Sequence, residues 1–429
     1  MRISQLCEQI QSIPASLRRF LISVVAYGIG FEGISTVLLN LYLLRLGYGT
    51  EFIGTLNSAG LLIFACVSLP IGAVQRITSR QMLLMGQVLT LIGLLGLPLA
   101  LYVESGQGAL LIGLRIVGMI GLSCYFVHQL PFAMEITSTE DHSKAMAITM
   151  AAFSFSTFLG SWLGGLLPEW FGAWLNLPLT DPRPFQLPMF VAALILIPAY
   201  WAIFTIKEPT REAFAVEEKE EDEAAAGFSG WRSIAGLVAI ILVVRAMQTA
   251  GVGVSMTFTN VYFDEALGVL PSRIGLYSGL GRLLGVPLSL TIPWLVGRFG
   301  NFRLVHISLG LIVLLLLPMA LVPLESVAAL ALISINSMGS LRYLSFIAFT
   351  MSLVSDKQRS LMSGVGEMAI GAGFSITSLL GGYIIAWYGY RELFLFGAAV
   401  TTIGAIAFYL IFRSRASSVP PRPKAAPSV

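Results

Sequence analysis

The chain is organised as long runs of apolar residues that short polar segments interrupt. A helix needs about 20 apolar residues to cross a hydrocarbon core of roughly 30 Å. The runs here are apolar around the whole helix rather than along one stripe, which favours lipid over water as their surroundings. The pattern predicts twelve membrane-spanning helices, at about 19–42, 52–74, 82–103, 107–130, 146–167, 187–206, 233–262, 273–296, 303–322, 325–352, 360–386 and 392–413.

Short motifs in the first half recur in the second half at a separation of 216–221 residues. Asn40-x-Tyr42 at the end of span one recurs as Asn260-x-Tyr262 at the end of span seven. This constant order and spacing predict a duplicated six-helix unit. Parallel repeats of this kind place a binding site near the bilayer midplane, where the halves meet. Further matches are Ile53-Gly54 with Ile274-Gly275, Met146 with Met362, and Gly164-Gly165 with Gly381-Gly382.

A polar stretch separates the two halves and holds six acidic side chains between positions 217 and 223. Such a stretch cannot cross a bilayer, so it is predicted to be a cytoplasmic linker. The expected division is an N-terminal cytoplasmic segment 1–18, a six-helix bundle 19–207, an acidic linker 208–230, a second bundle 231–413 and a disordered cytoplasmic tail 414–429.

The Lys and Arg residues of the loops predict the orientation in the membrane. With the N-terminus inside, the inside segments hold eighteen of these residues and the outside segments four. Cytoplasmic loops carry an excess of Lys and Arg, so both termini are expected in the cytoplasm. The expected location is the plasma membrane, which is the inner membrane in a Gram-negative bacterium.

Composition excludes several classes of function. Hydrophobic residues make up 56% of the chain and charged residues 11%, against about 25% charged residues in soluble domains. A formal charge of +3 does not indicate nucleic-acid binding. The three cysteines and three histidines are scattered, and no phosphate-cradling motif appears. We therefore expect no cofactor, no metal and no enzymatic activity, and we expect a monomer.

Two loops and one helix carry a family resemblance. The loop after span two, which contains Arg76 and Arg80, resembles the Gly-x-x-x-Asp-Arg-x-Gly-Arg-Arg loop of the major facilitator superfamily, with Gln75 in place of the Asp. The loop after span eight repeats the motif with Arg298 and Gly300 and also contains Arg303. The resemblance implies that these residues take part in gating.

The glycines of span five add to this resemblance. Gly160, Gly164 and Gly165 match the family's antiporter motif. The family resemblance implies an all-α membrane fold of two pseudo-symmetric six-helix bundles. It also implies alternating access, in the manner of the proton-coupled drug exporters, and a hinge or packing seam at these glycines.

Ionisable side chains deep inside the spans are the main functional candidates. Each costs at least about 2.5–3.5 kcal/mol at the bilayer centre, so such residues are expected to face a wet cavity or one another. In the family, spans three, six, nine and twelve stand on the outside, and none of these charges falls on them. The six residues are Glu32, Arg115, Arg245, Arg282, Arg342 and Glu367.

Two interpretations of these charges stay open. In the functional one, Glu32 carries a proton or binds a cation, and Arg115 responds to its change of charge. In the structural one, Glu32 pairs permanently with Arg115, and Glu367 pairs with Arg282 or Arg245. The candidate substrate cavity comprises Arg245, Arg282, Arg342, Glu367, Tyr27, Asn40 and Asn260.

The sequence thus predicts a secondary active transporter of a small molecule, coupled to protons or another ion. The leading hypothesis is export of amphipathic compounds by proton antiport. The alternative is transport of an organic anion such as a carboxylate or phosphate, because four of the six buried charges are arginines. Less favoured are a transporter of lipids, a membrane sensor or scaffold without transport, and an enzyme acting on lipid-borne groups.

Overall fold

The computed structural model describes residues 14–72, 77–207, 231–354 and 359–416. The predicted linker 208–230 and Arg76 lie outside these ranges, as do positions 1–13 and 417–429 of the two terminal segments.

The apolar runs form helices throughout the described ranges. Eleven of these helices are long and apolar enough to span a membrane, and α8 becomes the twelfth when its two bent segments count as one span. The helices are α1 Ala15–Arg45, α2 Thr50–Gly72, α3 Ser79–Tyr102, α4 Gln107–Glu135, α5 His142–Leu175, α6 Arg183–Phe204, α7 in two segments Trp231–Gln248 and Ala250–Glu265, α8 in two segments Pro271–Leu290 and Ile292–Phe299, α9 Asn301–Leu321, α10 Glu325–Met351, α11 Arg359–Tyr388 and α12 Tyr390–Ala416.

The bend in α8 has a local cause. Its two segments meet at 57°, and Pro293 stands next to the break at Thr291. A proline inside a helix removes one hydrogen bond and clashes with the carbonyl four residues earlier, here that of Ser289. The break therefore follows from the sequence.

The packing of helices is the same in both halves. In the first half α1 packs against α5 and α6, and α4 packs against α2 and α3. In the second half α7 packs against α11 and α12, and α10 packs against α8 and α9. This repetition confirms the two pseudo-symmetric six-helix bundles. The boundaries assigned to the domains remain predictions.

The two ends of the bundle differ in how the halves meet. We call the end where α1 and α7 finish and α2 and α8 begin the closed end, and the opposite end the split end. At the closed end one apolar core joins Leu38 and Phe185 of the first half to Phe258 and Leu393 of the second. At the split end each half has its own core, one containing Phe20 and the other built around residues 241–412. Among the described residues, the halves therefore share an apolar core at the closed end and have separate cores at the split end.

The first helix of each half is irregular at an equivalent depth. Gly28–Ser35 of α1 is a π-helical segment, and α7 is interrupted at Thr249. The start of the π segment and the interruption in α7 lie 221 residues apart, as the repeat requires. Such irregular turns inside helices are frequent at functional sites, and Glu32 lies in the π-helical segment.

Candidate functional site

Two helix pairs, α2 with α11 and α5 with α8, join the halves. Small residues let their backbones touch at the closed end. A Cβ atom added to Gly275 of α8 would lie 2.3 Å from the carbonyl oxygen of Ser161 in α5. One added to Gly382 of α11 would lie 2.4 Å from the carbonyl oxygen of Thr50 in α2. The pseudo-symmetry thus produces two equivalent seams that only glycine permits.

An ion pair joins the ends of α1 and α7 at the closed end. Arg45 donates from Nη1 and Nη2 to both carboxylate oxygens of Asp264, at 2.8 and 2.6 Å. Its Nε donates to the carbonyl oxygen of Leu179 at 2.6 Å. The Arg45 and Asp264 side chains are 18% and 9% exposed. This two-pronged contact is of the strong, charge-assisted kind.

Sequence reasoning missed this pair, because Arg45 was counted only as a loop charge. A signal was nevertheless present. Arg45 and Asp264 are 219 residues apart, which is close to the repeat spacing. Nearly equivalent residues of two repeats can touch only near the pseudo-symmetry axis. Arg45 and Asp264 meet this condition, because they lie at the ends of equivalent helices and carry opposite charges.

A chain of amides lies next to the ion pair. Asn40 donates to the carbonyl oxygen of Thr257 at 2.7 Å and so links α1 to α7. Asn57 donates to Asn40 Oδ1 at 2.8 Å, and Arg115 Nη2 lies 3.5 Å from Asn57 Oδ1. Asn40 is buried, so its amide is part of the seal at the closed end in this conformation.

The same bond recurs in the second half. Ser278 donates to Asn260 Oδ1 at 3.1 Å. Ser278 follows Asn57 by 221 residues, and Asn260 follows Asn40 by 220, so the two pairs are equivalent. Asn260 is also buried. The structure therefore places both predicted asparagines within the closed end rather than beside the arginines of α7 and α10.

The carboxylate of Glu32 bridges the two halves. Arg282 Nη1 of α8 donates to Glu32 Oε2 of α1 at 2.6 Å, and both side chains are 22% exposed. Arg282 lies one turn beyond Gly279, where α8 closely approaches the backbone of Phe158 in α5. The pair therefore lies beside the α5–α8 contact that joins the halves.

This pairing differs from the one expected in the structural interpretation. Glu32 pairs with Arg282, whereas Arg115 contacts Asn57 and lies within electrostatic reach of Glu32. Glu32 thus has Arg282 as its ion-pair partner, with Arg115 within electrostatic reach of it. Helix contacts across 250 residues set this arrangement, so no local pattern of sequence could have specified it.

The second acidic candidate has a neutral partner. Tyr343 of α10 donates a hydrogen bond to the Glu367 carboxylate, and Glu367 is exposed. Glu367 precedes Gly371 by four residues and so shares its face of α11. Gly371 is packed against Ala65 of α2. Glu367 therefore lies on the α2-facing side, one turn further toward the split end.

Arg245 and Arg342 form a third group, inside the second half. Their residues are 0% and 3% exposed. The Arg245 guanidinium lies 3.8 Å from the ring centroid of Phe346, and Arg342 Nη1 donates to the carbonyl oxygen of Gln248 at 3.2 Å. Neither is in contact with the Glu32 group, so the six charges form separate clusters rather than one cavity lining.

Tyr27 packs inside the first half. It is fully buried, its ring stacks on Tyr125 with centroids 3.6 Å apart, and its hydroxyl donates to Thr90 at 3.0 Å. In this conformation Tyr27 contributes to packing and does not border the gap between the halves.

The predicted gating residues that the structure describes lie at the split end. Arg80 donates to the carbonyl oxygen of Phe204 at 2.6 Å, which caps the last turn of α6. Arg298 is exposed and lies over the ring of Trp294 at 5.8 Å. Gly300 begins α9 with a positive φ of 73°, a conformation that favours glycine, and Arg303 is exposed. Arg80 thus has a structural contact within its own half.

Comparison with known proteins gives a consistent picture of the fold. A family model described as Major Facilitator Superfamily matches residues 20–355 and 326–428. The solved structure of the nucleoside transporter NupG has a TM-score of 0.73 at 13% identity, covering 94% of this chain and 100% of that chain. A bacterial homolog to the human lysosomal transporter Spinster, inward-facing and unoccupied, has a TM-score of 0.71 at 15% identity, covering 97% of this chain and 100% of that chain.

A curated relative matches over a shorter stretch. Multidrug resistance protein 2 of Bacillus subtilis (strain 168) is 22% identical over 201 residues. The alignment spans 46% of this chain and 46% of that protein, so this chain matches less than half of the relative's length.

Proposed function

The chain belongs to the major facilitator superfamily, and from that premise we propose that it is a secondary active transporter that works by alternating access. Its small-molecule substrate crosses between two halves that rock against each other in the membrane. The main support is the Glu32–Arg282 ion pair, which links α1 of the first half to α8 of the second.

Proton coupling follows from what a proton does to this pair. A proton on Glu32 removes its charge and with it the attraction to Arg282. Arg115 lies within electrostatic reach of the same carboxylate. The paired state of the halves and the protonated state of Glu32 therefore oppose each other. We propose Glu32 as the proton site and Arg282 and Arg115 as the groups that respond to it.

The direction we propose is export of amphipathic compounds in exchange for protons. We propose, from the Lys and Arg bias of the loops, that the closed end faces outside and that the split end, where each half has its own core, faces the cytoplasm. That conformation suits loading from inside the cell. The α5 glycines and the similarity to a multidrug resistance protein over 201 residues add support. We also propose the plasma membrane as its location, with cytoplasmic termini and a monomeric state.

The test is flux into proteoliposomes under an imposed pH gradient, with a cationic dye and an amphipathic carboxylate as substrates. We expect gradient-driven flux of one of them in the wild type. Glu32→Gln should abolish the dependence on the gradient but retain downhill flux, because the halves no longer depend on a proton to separate. The control is Glu51→Gln, an exposed carboxylate at the start of α2.

Two results would contradict the proposal in different ways. Absence of flux for the whole panel, in protein that retains its fold, would favour the sensor or scaffold. Gradient-driven flux that survives Glu32→Gln unchanged would leave transport standing and remove Glu32 as the proton site.

A further inference from the structure

The interface of α7 and α10 holds two arginines and three polar or aromatic neighbours. Arg245 and Gln248 lie one turn apart on α7, and Arg342 lies one turn from Ser345 and Phe346 on α10. The contacts from Arg245 to the Phe346 ring and from Arg342 to the Gln248 carbonyl oxygen hold these two faces against each other. All four polar side chains are buried.

Most of the polar atoms in this interface have no protein partner. Arg245 Nε, Nη1 and Nη2 make no hydrogen bond to any residue that the structure describes. The same is true of Arg342 Nε, both polar atoms of the Gln248 side chain and Ser345 Oγ. Leaving one buried polar group without a partner costs about 1–3 kcal/mol, and more for a charged one. Seven such atoms on two facing turns are an arrangement that a ligand would stabilise.

No counter-charge balances the two guanidinium groups. Within the described ranges neither Arg245 nor Arg342 has a carboxylate within ion-pair distance. Glu367 is within electrostatic reach of Arg245, but its carboxylate accepts a hydrogen bond from Tyr343 and is exposed. The interface therefore carries excess positive charge together with unused donors, which is the chemistry of an anion site.

We propose that this interface binds the carboxylate group of an organic anion. Because Phe346 covers one face of the Arg245 guanidinium, the edges carry its donors and can bind two oxygens as a fork. Arg342 Nε, the Gln248 amide and the Ser345 hydroxyl supply further donors. Ile241, Val244 and Phe346 belong to the apolar core beside it, and apolar surroundings favour a singly charged carboxylate over a phosphate.

The inference rests on the proposed transport function. It narrows the proposed substrates to amphipathic compounds that carry a carboxylate. Binding itself is measured without transport. A protein that binds carboxylates but gives no flux would refute only the transporter. Flux of cationic dyes without carboxylate binding would refute only the anion site.

The experiment titrates sodium benzoate into the detergent-purified full chain and follows the thermal unfolding midpoint, with sodium chloride keeping the ionic strength constant. Any ligand of the folded state raises this midpoint. Benzamide is the neutral probe of the same shape. We expect a saturable rise with benzoate and none with benzamide. Arg245→Gln should weaken the apparent affinity roughly tenfold or more, because a charge-assisted hydrogen bond is lost.

Variants separate a binding role from a structural one. Arg342→Lys keeps the charge but removes the Nε donor, and Ser345→Ala removes one hydroxyl. Both variants should weaken benzoate binding. They test the site even if Arg245→Gln does not fold. Arg391→Gln, an exposed arginine of the same half, should bind as the wild type does. Absence of a benzoate effect in the wild type would overturn the proposal. The proposal would also be overturned if chloride or benzamide raised the midpoint as much as benzoate, or if inorganic phosphate raised it more. Unchanged benzoate binding in all three interface variants would overturn it as well.

Discussion

The closed end and the split end are built from the same helices, yet their contacts between halves differ in kind. At the closed end, backbones touch across glycine seams, one apolar core runs through both halves, and Arg45 forms an ion pair with Asp264. At the split end the cores are separate and Glu367 is exposed. Rocking requires the first set to come apart. The glycine seams are suited to this, because backbones touch there and few interlocked side chains have to separate along them.

The largest effect is expected from filling a glycine seam. In Gly382→Ala the new methyl group would overlap the Thr50 carbonyl, and overpacking of this kind costs about 1–3 kcal/mol. We expect a lower midpoint of thermal unfolding. Access to the seam is measured by maleimide labelling of Ser58→Cys, at the buried α2–α11 contact, in a background without native cysteines. Labelling should be faster in Gly382→Ala.

The same helix supplies the control. Gly366 lies nearer the split end of α11, and a Cβ atom there would meet no described heavy atom within 4 Å. Gly366→Ala should leave labelling unchanged and raise the midpoint, since alanine favours a helix by up to about 1 kcal/mol over glycine. Equal behaviour of the two variants would mean that the ends do not differ as described.

A smaller effect is expected from the ion pair of the closed end. Arg45→Gln leaves Asp264 without its partner at 9% exposure, which should destabilise the closed end by about 2 kcal/mol. Adding Asp264→Asn should restore part of the loss. Chemical denaturation of the four proteins of this double-mutant cycle measures the coupling energy.

A second ion pair at the same end tests whether burial is the reason for the expected loss of stability in Arg45→Gln. Arg183 and Asp181 lie 2.8 Å apart, with side chains 55% and 21% exposed, and hydrogen bonds from Arg183 lower the pKa of Asp181. Arg183→Gln should cost much less than Arg45→Gln because solvent screens the pair. A cost equal to that of Arg45→Gln would contradict the special position of Arg45.

The smallest effects are expected from the repeated polar bonds. Asn57→Ala and Ser278→Ala each remove a buried donor to an equivalent asparagine, which costs about 1 kcal/mol. Their effects on the thermal midpoint should be similar in sign and should add in the double variant, because the two bonds lie in different halves. Strong non-additivity would mean that the bonds belong to one network across the interface.

Hydropathy and repeat spacing were enough to predict the spans and the two bundles, because lipid imposes the same requirement on every spanning helix. The positions of the six charges within the spans were also evident. Their partners were not: Glu32 meets Arg282 across 250 residues, and Glu367 meets a tyrosine. Such pairings depend on the rotation of whole helices, which apolar runs do not encode because every face of the helix is apolar.

The π-helical segment of α1 fixes the rotational setting of everything that follows it. Each residue of a regular helix turns the chain by about 100°. Rewinding Gly28–Ser35 into a regular α-helix with all its residues kept would turn the rest of α1 further around the helix axis, because a helix with i→i+5 hydrogen bonds rotates less per residue. Asn40 and Arg45 would then point away from Thr257 and Asp264 although neither side chain had changed. The π-helical segment therefore determines which face of the closed-end part of α1 meets α7.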